Sequence, residues 1–253
     1  MIGRQSFQSV GKHLLKAKSV RTREDPLAVV IIHQNPPADK HVGEQLSGRR
    51  PALAAPARKW YNQCPLWLEV VGGLPLIVIK QLDASAIERI ADIDRSEHIT
   101  GTYVRRNGHL ELEEVDWQVP PWSAEGDGEY SVRRNIADWR PFLEELGGIM
   151  FGAMYGRRLV GFAIYRPRLE PDMAQLAVLH VSREYRRRGL GAALAEQVAM
   201  LALADGARRL YVSATPSEAT VEFYRSQGFQ PVDEPHPELF ALEPEDIHMI
   251  REL

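Results

Sequence analysis

Tyr185-Arg186-Arg187-Arg188-Gly189-Leu190-Gly191 follows one apolar run, Leu176 to Val181, and leads into another, Ala192 to Ala204. The first run reads as a strand and the second as a helix. A strand, a glycine-containing turn and a helix start together make an anion site. The first turn of a helix leaves backbone N–H groups without intrahelical acceptors, and the macrodipole adds positive partial charge there. Gly189 and Gly191 carry no Cβ, so backbone can approach a phosphate closely. The three arginines add fixed charge. The stretch reads as a diphosphate cradle.

Downstream, Arg209 to Ser213 reads as a further strand. Thr215-Pro216-Ser217-Glu218 reads as a capping box with proline at the first helical position. The helix it opens runs through Val221, Phe223 and Tyr224 to Gly228, and Phe229–Val232 and Ile247–Arg251 supply the last strand candidates. Upstream, Leu74 to Lys80 reads as a first strand. Asp83 and Ser85 are candidate caps for a helix over Ala86–Ile93. Tyr103–Arg105, Asn107-Gly108 and His109–Leu112 predict a hairpin, since Asn-Gly suits a two-residue turn with positive φ. Trp117 to Gly128 reads as a loop, and Ala137 to Leu146 as a helix stopped by Gly147-Gly148. Ile149–Tyr155 and Leu159–Tyr165 form a second hairpin around Gly156-Arg157-Arg158, and Pro167 to Asp172 reads as a connection.

The chain has 253 residues and a formal net charge of −3, which gives no global reason to expect a nucleic-acid partner. Its single cysteine, Cys64, excludes an intrachain disulfide framework and any multi-cysteine metal site. No apolar run approaches the roughly 18 residues of a membrane span. A cytoplasmic protein with no membrane partner is expected. Residues 1–73 differ from the rest. They carry Arg4, Lys12, Lys16, Lys18, Arg21 and Arg23 before their first acid, Glu24, and then several prolines. Only Leu27 to Ile32 resembles a strand there, with no evident partner. A weakly ordered extension, one from an upstream start codon, a basic interaction arm and a transit peptide all fit this pattern. The folded domain is expected over 74–253.

The order of elements and two motifs resemble the GNAT superfamily of N-acetyltransferases. Arg186, Gly189 and Gly191 fill the family's signature of Arg or Gln, two variable residues, Gly, one variable residue, then Gly or Ala. Ser217, Phe223-Tyr224 and Gly228-Phe229 match a second pattern, a short helix that begins polar, contains Phe-Tyr and ends in Gly-Phe. The resemblance implies an α/β (α+β) fold with a mixed, largely antiparallel central sheet and helices on both faces. It implies that the strands ending at Val181 and running through Tyr211 are parallel neighbours that splay apart. The donor would be acetyl-CoA. Backbone at Leu179, His180 and Val181 would pair with its pantetheine arm, N–H groups from Arg187 through Ala192 (spanning Arg188, Gly189, Leu190 and Gly191) would hold the pyrophosphate, and Arg186 is the signature's first residue. Ser217 stands where the family often has Asn for a pantetheine contact, and its reach is shorter.

Acyl transfer from a thioester to an amine sets three demands. The amine must be neutral, and a lysine-like amine titrates at about 10.4. The oxyanion needs an N–H donor, which a backbone amide near Val181 could supply. The leaving thiolate gains from a proton donor. The resemblance makes Tyr224 that donor; the competing reading is an aromatic packed on a helix face. In the histone-acetylating branch a strand glutamate is the base, and here its place holds Gln175, which cannot accept a proton. Glu170, Asp172, His180 and a water relay stay open as alternatives. Asp92, Asp94 and Glu97 would lie near the acceptor cleft or form a solvated helix face, and Trp117–Trp122 would wall the acceptor or cover the core.

The expected activity is N-acetyl transfer from acetyl-CoA to a primary amine, on a small molecule or peptide, by direct attack in a ternary complex. A homodimer is compatible with it. One rival is a non-catalytic module that senses acyl-CoA. A dinucleotide-binding oxidoreductase is another, but it needs a glycine where Arg186 stands.

Overall fold

The computed structural model describes residues 28–31, 70–71 and 74–253. Most of the extension expected over residues 1–73 therefore lies outside the described residues. Its described parts are the strands Ala28–Ile31 (β1) and Val70–Val71 (β2). β1 does have a partner: it runs parallel to Leu74–Leu82 (β3), with Ala28 opposite Leu76 and Ile31 opposite Ile79. β2 pairs antiparallel with the start of β3.

A 3₁₀ helix, Ala84–Asp92, follows, and then the hairpin Glu97–Arg106 (β4) and His109–Val119 (β5). Helix Val132–Glu144 (α1) leads to the strands Ile149–Tyr155 (β6), Arg158–Glu170 (β7) and Met173–Val181 (β8). A 3₁₀ turn at Arg183–Tyr185 precedes helix Leu190–Ala204 (α2). The chain ends with Arg209–Ala214 (β9), Glu218–Ser226 (α3), Gln230–Pro231 (β10), Pro237–Leu242 (α4) and Ile247–Glu252 (β11). The main sheet has the order β1-β3-β6-β7-β8-β9-β11-β10, with β2 beside β3, and β4–β5 form a separate two-stranded sheet. β1–β3 and β8–β9 are parallel and the remaining pairs antiparallel, so the sheet is mixed and largely antiparallel, as the sequence implied.

The alternation of β7 separates two cores. Ala163 and Tyr165 face α2, whose Leu190, Leu194, Val198 and Ala202 recur every fourth residue and are buried. Ala195 and Ala199 let α2 approach the sheet closely. Phe162 and Ile164 face the other way, onto Ile87, Ile90 and Ile136. Each fully buried aliphatic side chain stabilises by roughly 1.5–3 kcal/mol over an exposed one.

Three local differences from the sequence reading have physical causes. The first helix is 3₁₀ rather than α, because Ile87, Ile90 and Ile93 recur every third residue and all three are buried. The first hairpin is longer and takes in Trp117–Val119, with Glu97 opposite Val119; its turn holds Asn107 at φ 49° and Gly108 at φ 81°. β7 and β8 likewise extend into the expected connection, because Arg208 and Arg209 donate their N–H groups to Asp172 O and anchor that turn to the neighbouring strand. Among the described residues no helix is long and apolar enough to cross a membrane.

Candidate active site

β8 and β9 are paired at three positions only: Met173 with Arg209, Ala174 with Leu210, and Gln175 with Tyr211. Beyond them the two strands part. Leu176 and Val178–Val181 keep their β7 partners, and Val212–Ala214 keep their β11 partners. A bulge sits at the point of parting, since Tyr165 opposes Leu176 while Ile164 opposes Val178, leaving Ala177 unmatched. An extra residue bends the strand that carries it, which is the physical cause of the splay. The wedge that opens is lined by backbone donors and acceptors without strand partners. Such groups require partners.

Which groups face the wedge follows from alternation. Ser182 donates its N–H to Val160 O on β7 at 2.9 Å, so the backbone groups of Val181 and Leu179 point the other way, into the wedge. Those of His180 point at β7. His180 therefore does not offer the backbone contact expected of it, and its ring packs against Trp122, Trp139 and Phe162 at 5.3, 5.6 and 5.6 Å between centroids. Burial, aided by the charges of Arg95 and Arg186, holds its imidazole down to about 3. A group that stays neutral at that level is a poor base near neutral pH.

The turn after β8 behaves largely as its sequence suggests. Arg187 at φ 59° and Gly189 at φ 81° curl the chain into α2, where Gly189 is the N-cap. The first bond of the helix runs from Ala193 N to Gly189 O, so the N–H groups of Leu190, Gly191 and Ala192 have no intrahelical acceptor. Gly191 has a steric reason to be glycine: a Cβ there would lie 3.2 Å from Phe223 Cε2 on α3.

Arg186 is a correction. Its guanidinium turns away from the cradle and braces the end of β8. Nε donates to Val181 O at 2.9 Å, Nη2 to Arg95 O at 2.9 Å, and Nη1 pairs with Glu97 at 3.1 Å. The Val181 carbonyl at the strand end and the part-buried Glu97 carboxylate outcompete solvent for a five-donor fork. The Val181 carbonyl is thereby taken and its N–H left facing the wedge.

On the far side, Ser217 rather than Thr215 is the N-cap of α3. Its hydroxyl accepts from Thr220 N at 3.3 Å and donates to Thr220 Oγ1 at 2.9 Å, so it is committed to the helix rather than to a ligand. Tyr224, two turns on, is buried between Phe223 and Phe229, with centroids 5.1 and 5.4 Å away. Its hydroxyl makes no hydrogen bond to any described residue. Burial, then the carboxylates of Asp246 and Glu243, pushes the phenol up, which keeps its proton in place.

β4 crosses the mouth of the wedge. At one end Asp94 N donates to Ser182 Oγ, and Arg183 N to Asp94 O. At the other, Tyr103 N donates to Pro216 O, and Thr102 bridges to Ser217. Asp92, Asp94 and Glu97 do lie along this segment, but they are paired with Arg89, Ser96 and Arg186 respectively. Trp122 packs edge-on to Trp139 and His180, while Trp117 stays half-exposed on β5.

The expected base positions fall away on geometry. Gln175 is buried at the vertex, where its amide oxygen accepts from Arg166 at 3.4 Å. Glu170 and Asp172 sit at the closed end of β8, paired with Arg209 at 3.0 and 2.7 Å. Asp246, which no sequence motif marked, sits at the open end. It precedes Ile247, whose strand partner is Ala214 at the end of β9. Burial, then the charges of Glu243 and Glu129, pushes its carboxyl up to about 7. An acid beside a C-terminal strand has no local signature; only the long-range β9–β11 register brings it to the end of β9.

Residues 110–229 match the acetyltransferase (GNAT) family. Among solved structures, nourseothricin acetyltransferase is similar over 70% of this chain and 98% of its own, at 18% identity and a TM-score of 0.52. A protein from Bacillus anthracis str. Ames, described as a streptothricin acetyltransferase and solved in complex with acetyl coenzyme A, is similar over the same shares at 15% identity and a TM-score of 0.52. At such identities the likeness is one of fold. No curated protein matches the chain.

Proposed function

We propose that this chain, whose residues 110–229 match the acetyltransferase (GNAT) family, is an N-acetyltransferase that moves the acetyl group of acetyl-CoA to a primary amine within a ternary complex. The observation that carries this reading is the wedge between β8 and β9, open at the N-terminus of α2. Acetyl-CoA supplies an activated acyl group as a thioester. The residues present fit it. The Leu179 and Val181 edge can take an extended arm as an added strand would, and the N–H groups from Arg187 to Ala192 can take a diphosphate. Arg186 serves by holding the end of β8 rather than by touching phosphate.

Roles for the chemistry follow from position. The wedge-facing N–H of Val181 is the donor for the developing oxyanion. Tyr224, protonated across the neutral range, gives its proton to the departing sulfur. Asp246 receives the proton of the amine. An ordinary aspartate near 3.8 is a far weaker base than one raised to about 7, a gain of roughly 4 kcal/mol in proton affinity at about 1.36 kcal/mol per unit.

The test is the release of free coenzyme A over a panel of amines, followed against pH. The wild-type kcat/KM is expected to rise through about pH 7 as Asp246 ionises. Asp246→Asn should lose that rise together with a rate factor of about 10²–10⁴. A profile that keeps its inflection in Asp246→Asn removes Asp246 from the base role. Tight acetyl-CoA binding with no release on any amine instead favours a sensor module.

A further inference from the structure

The part-buried arginines of this domain are mostly matched with acids. Arg186 meets Glu97, Arg166 meets Glu238 and Arg209 meets Asp172. Arg95 is different. Its guanidinium lies between two aromatic faces, 4.7 Å from the Trp122 centroid and 4.4 Å from that of Tyr130. Among the described residues it makes no hydrogen bond and no salt bridge. Its Nε is fully buried with no partner among those residues, and so is Nε1 of Trp122, the ring it stacks on.

Two orphaned donors thus meet in one place. Stacking on two rings offsets part of the cost of removing a cation from water. It does nothing for N–H groups left without acceptors, which cost about 1–3 kcal/mol each and more for a charged group. A planar fork with free N–H groups matches a carboxylate, which can accept two of them at once.

The location fits an acceptor rather than the donor. Arg95 follows Asp94, which is bonded to Ser182 at the end of β8, and Trp122 packs edge-on to His180. Glu129 bears electrostatically on both Arg95 and Asp246. The charged and titratable groups around Arg95 are Arg186, Glu97, Glu129, Tyr130 and His180. None of them pairs with it.

We propose that Arg95, held between Trp122 and Tyr130, is the anion clamp of the acceptor pocket, and that the acceptor is a small amine that also carries a carboxylate. This rests on the acetyl-transfer reading, with Asp246 taking the amine proton while Arg95 holds the acid group.

The experiment follows the indole N–H resonance of Trp122, assigned with Trp122→Phe, in the full chain. The probes are acetate, glycine and β-alanine against acetamide, glycinamide and β-alaninamide. The carboxylates are expected to shift the resonance saturably and at least about tenfold more tightly than the amides, the factor that one lost charged hydrogen bond gives. Arg95→Met should erase that difference. Where its melting shows an unfolded protein, Arg95→Lys takes its place; keeping the charge but not the fork, it should retain a weakened preference for the acids. A resonance that no carboxylate moves, or that acids and amides move equally, overturns the proposal. Coenzyme A release on glycine and β-alanine and on their amides, run in parallel, separates the two readings. Equal turnover of acid and amide sinks the clamp and leaves acetyl transfer standing. Selective carboxylate binding with no release on any probe keeps the clamp and sinks the transfer.

Discussion

Asp246→Asn should stabilise this protein at the same time as it slows it. The Asp246 carboxyl is raised from 3.8 to about 7, chiefly by burial and further by Glu243 and Glu129. Between those two values the folded state binds more protons than the unfolded chain, so stability falls as pH rises through that window. The penalty is absent below 3.8 and complete above about 7. A shift of about three units corresponds to at most about 4 kcal/mol, reduced by whatever solvent reaches a side chain that is only part-buried. Asparagine keeps the shape and never ionises, so it removes the penalty. Urea unfolding of wild type and variant at pH 4 and pH 8 measures it. The two proteins should be nearly equal at pH 4, and the variant more stable by roughly 1.5–4 kcal/mol at pH 8. A stability difference that does not change with pH refutes the placing of Asp246 in a desolvated, acid-lined pocket.

Tyr224→Phe should lower kcat by about 10²–10⁴ while acetyl-CoA affinity moves little, because the phenol has no hydrogen-bond partner among the described residues; an unchanged turnover removes it as the acid. Gly191→Ala puts a Cβ 3.2 Å from Phe223 Cε2. The overpacking cost of about 1–3 kcal/mol should outweigh the roughly 0.5–1 kcal/mol gained in helix propensity, and calorimetric titration should show weaker acetyl-CoA binding. A variant as stable as wild type with unaltered affinity counts against the close approach of α2 and α3. Arg186→Met removes hydrogen bonds to Val181 O and Arg95 O and the pair with Glu97. A loss of roughly 2–3 kcal/mol in thermal unfolding is expected, and a loss within about 0.5 kcal/mol, the range of an ordinary surface change, contradicts its bracing role.

The fold was legible where the signal was local. The turn from Tyr185 to Gly191, the Asn107-Gly108 hairpin and the apolar spacing of α2 each declare themselves within a dozen residues. Ser217, Phe223-Tyr224 and Gly228-Phe229 also fell where the sequence put them, although the cap proved to be Ser217. What escaped was long-range. The bulge at Ala177 depends on how β7 and β8 register, and no residue type announces it. Asp246 reaches the end of β9 only through the pairing of β11 with β9. Arg186 looked like one of three phosphate arginines because its backbone lies in the cradle; its side chain answers to Val181, Arg95 and Glu97, the last two of which are some ninety residues away in the chain. His180 was read for its backbone, and the direction of that backbone is fixed only by the bond from Ser182 to Val160 on the neighbouring strand.

The most direct measurement of the central claim is the stoichiometry of transfer. Acetyl-CoA is mixed with the enzyme and an amine, and free thiol, free acetate and N-acetylated amine are each quantified. Equal amounts of coenzyme A and N-acetylated amine, strongly reduced in both Tyr224→Phe and Asp246→Asn, are the expected result. Thiol release matched by free acetate alone, or unaffected by both substitutions, contradicts acetyl transfer from the β8–β9 wedge.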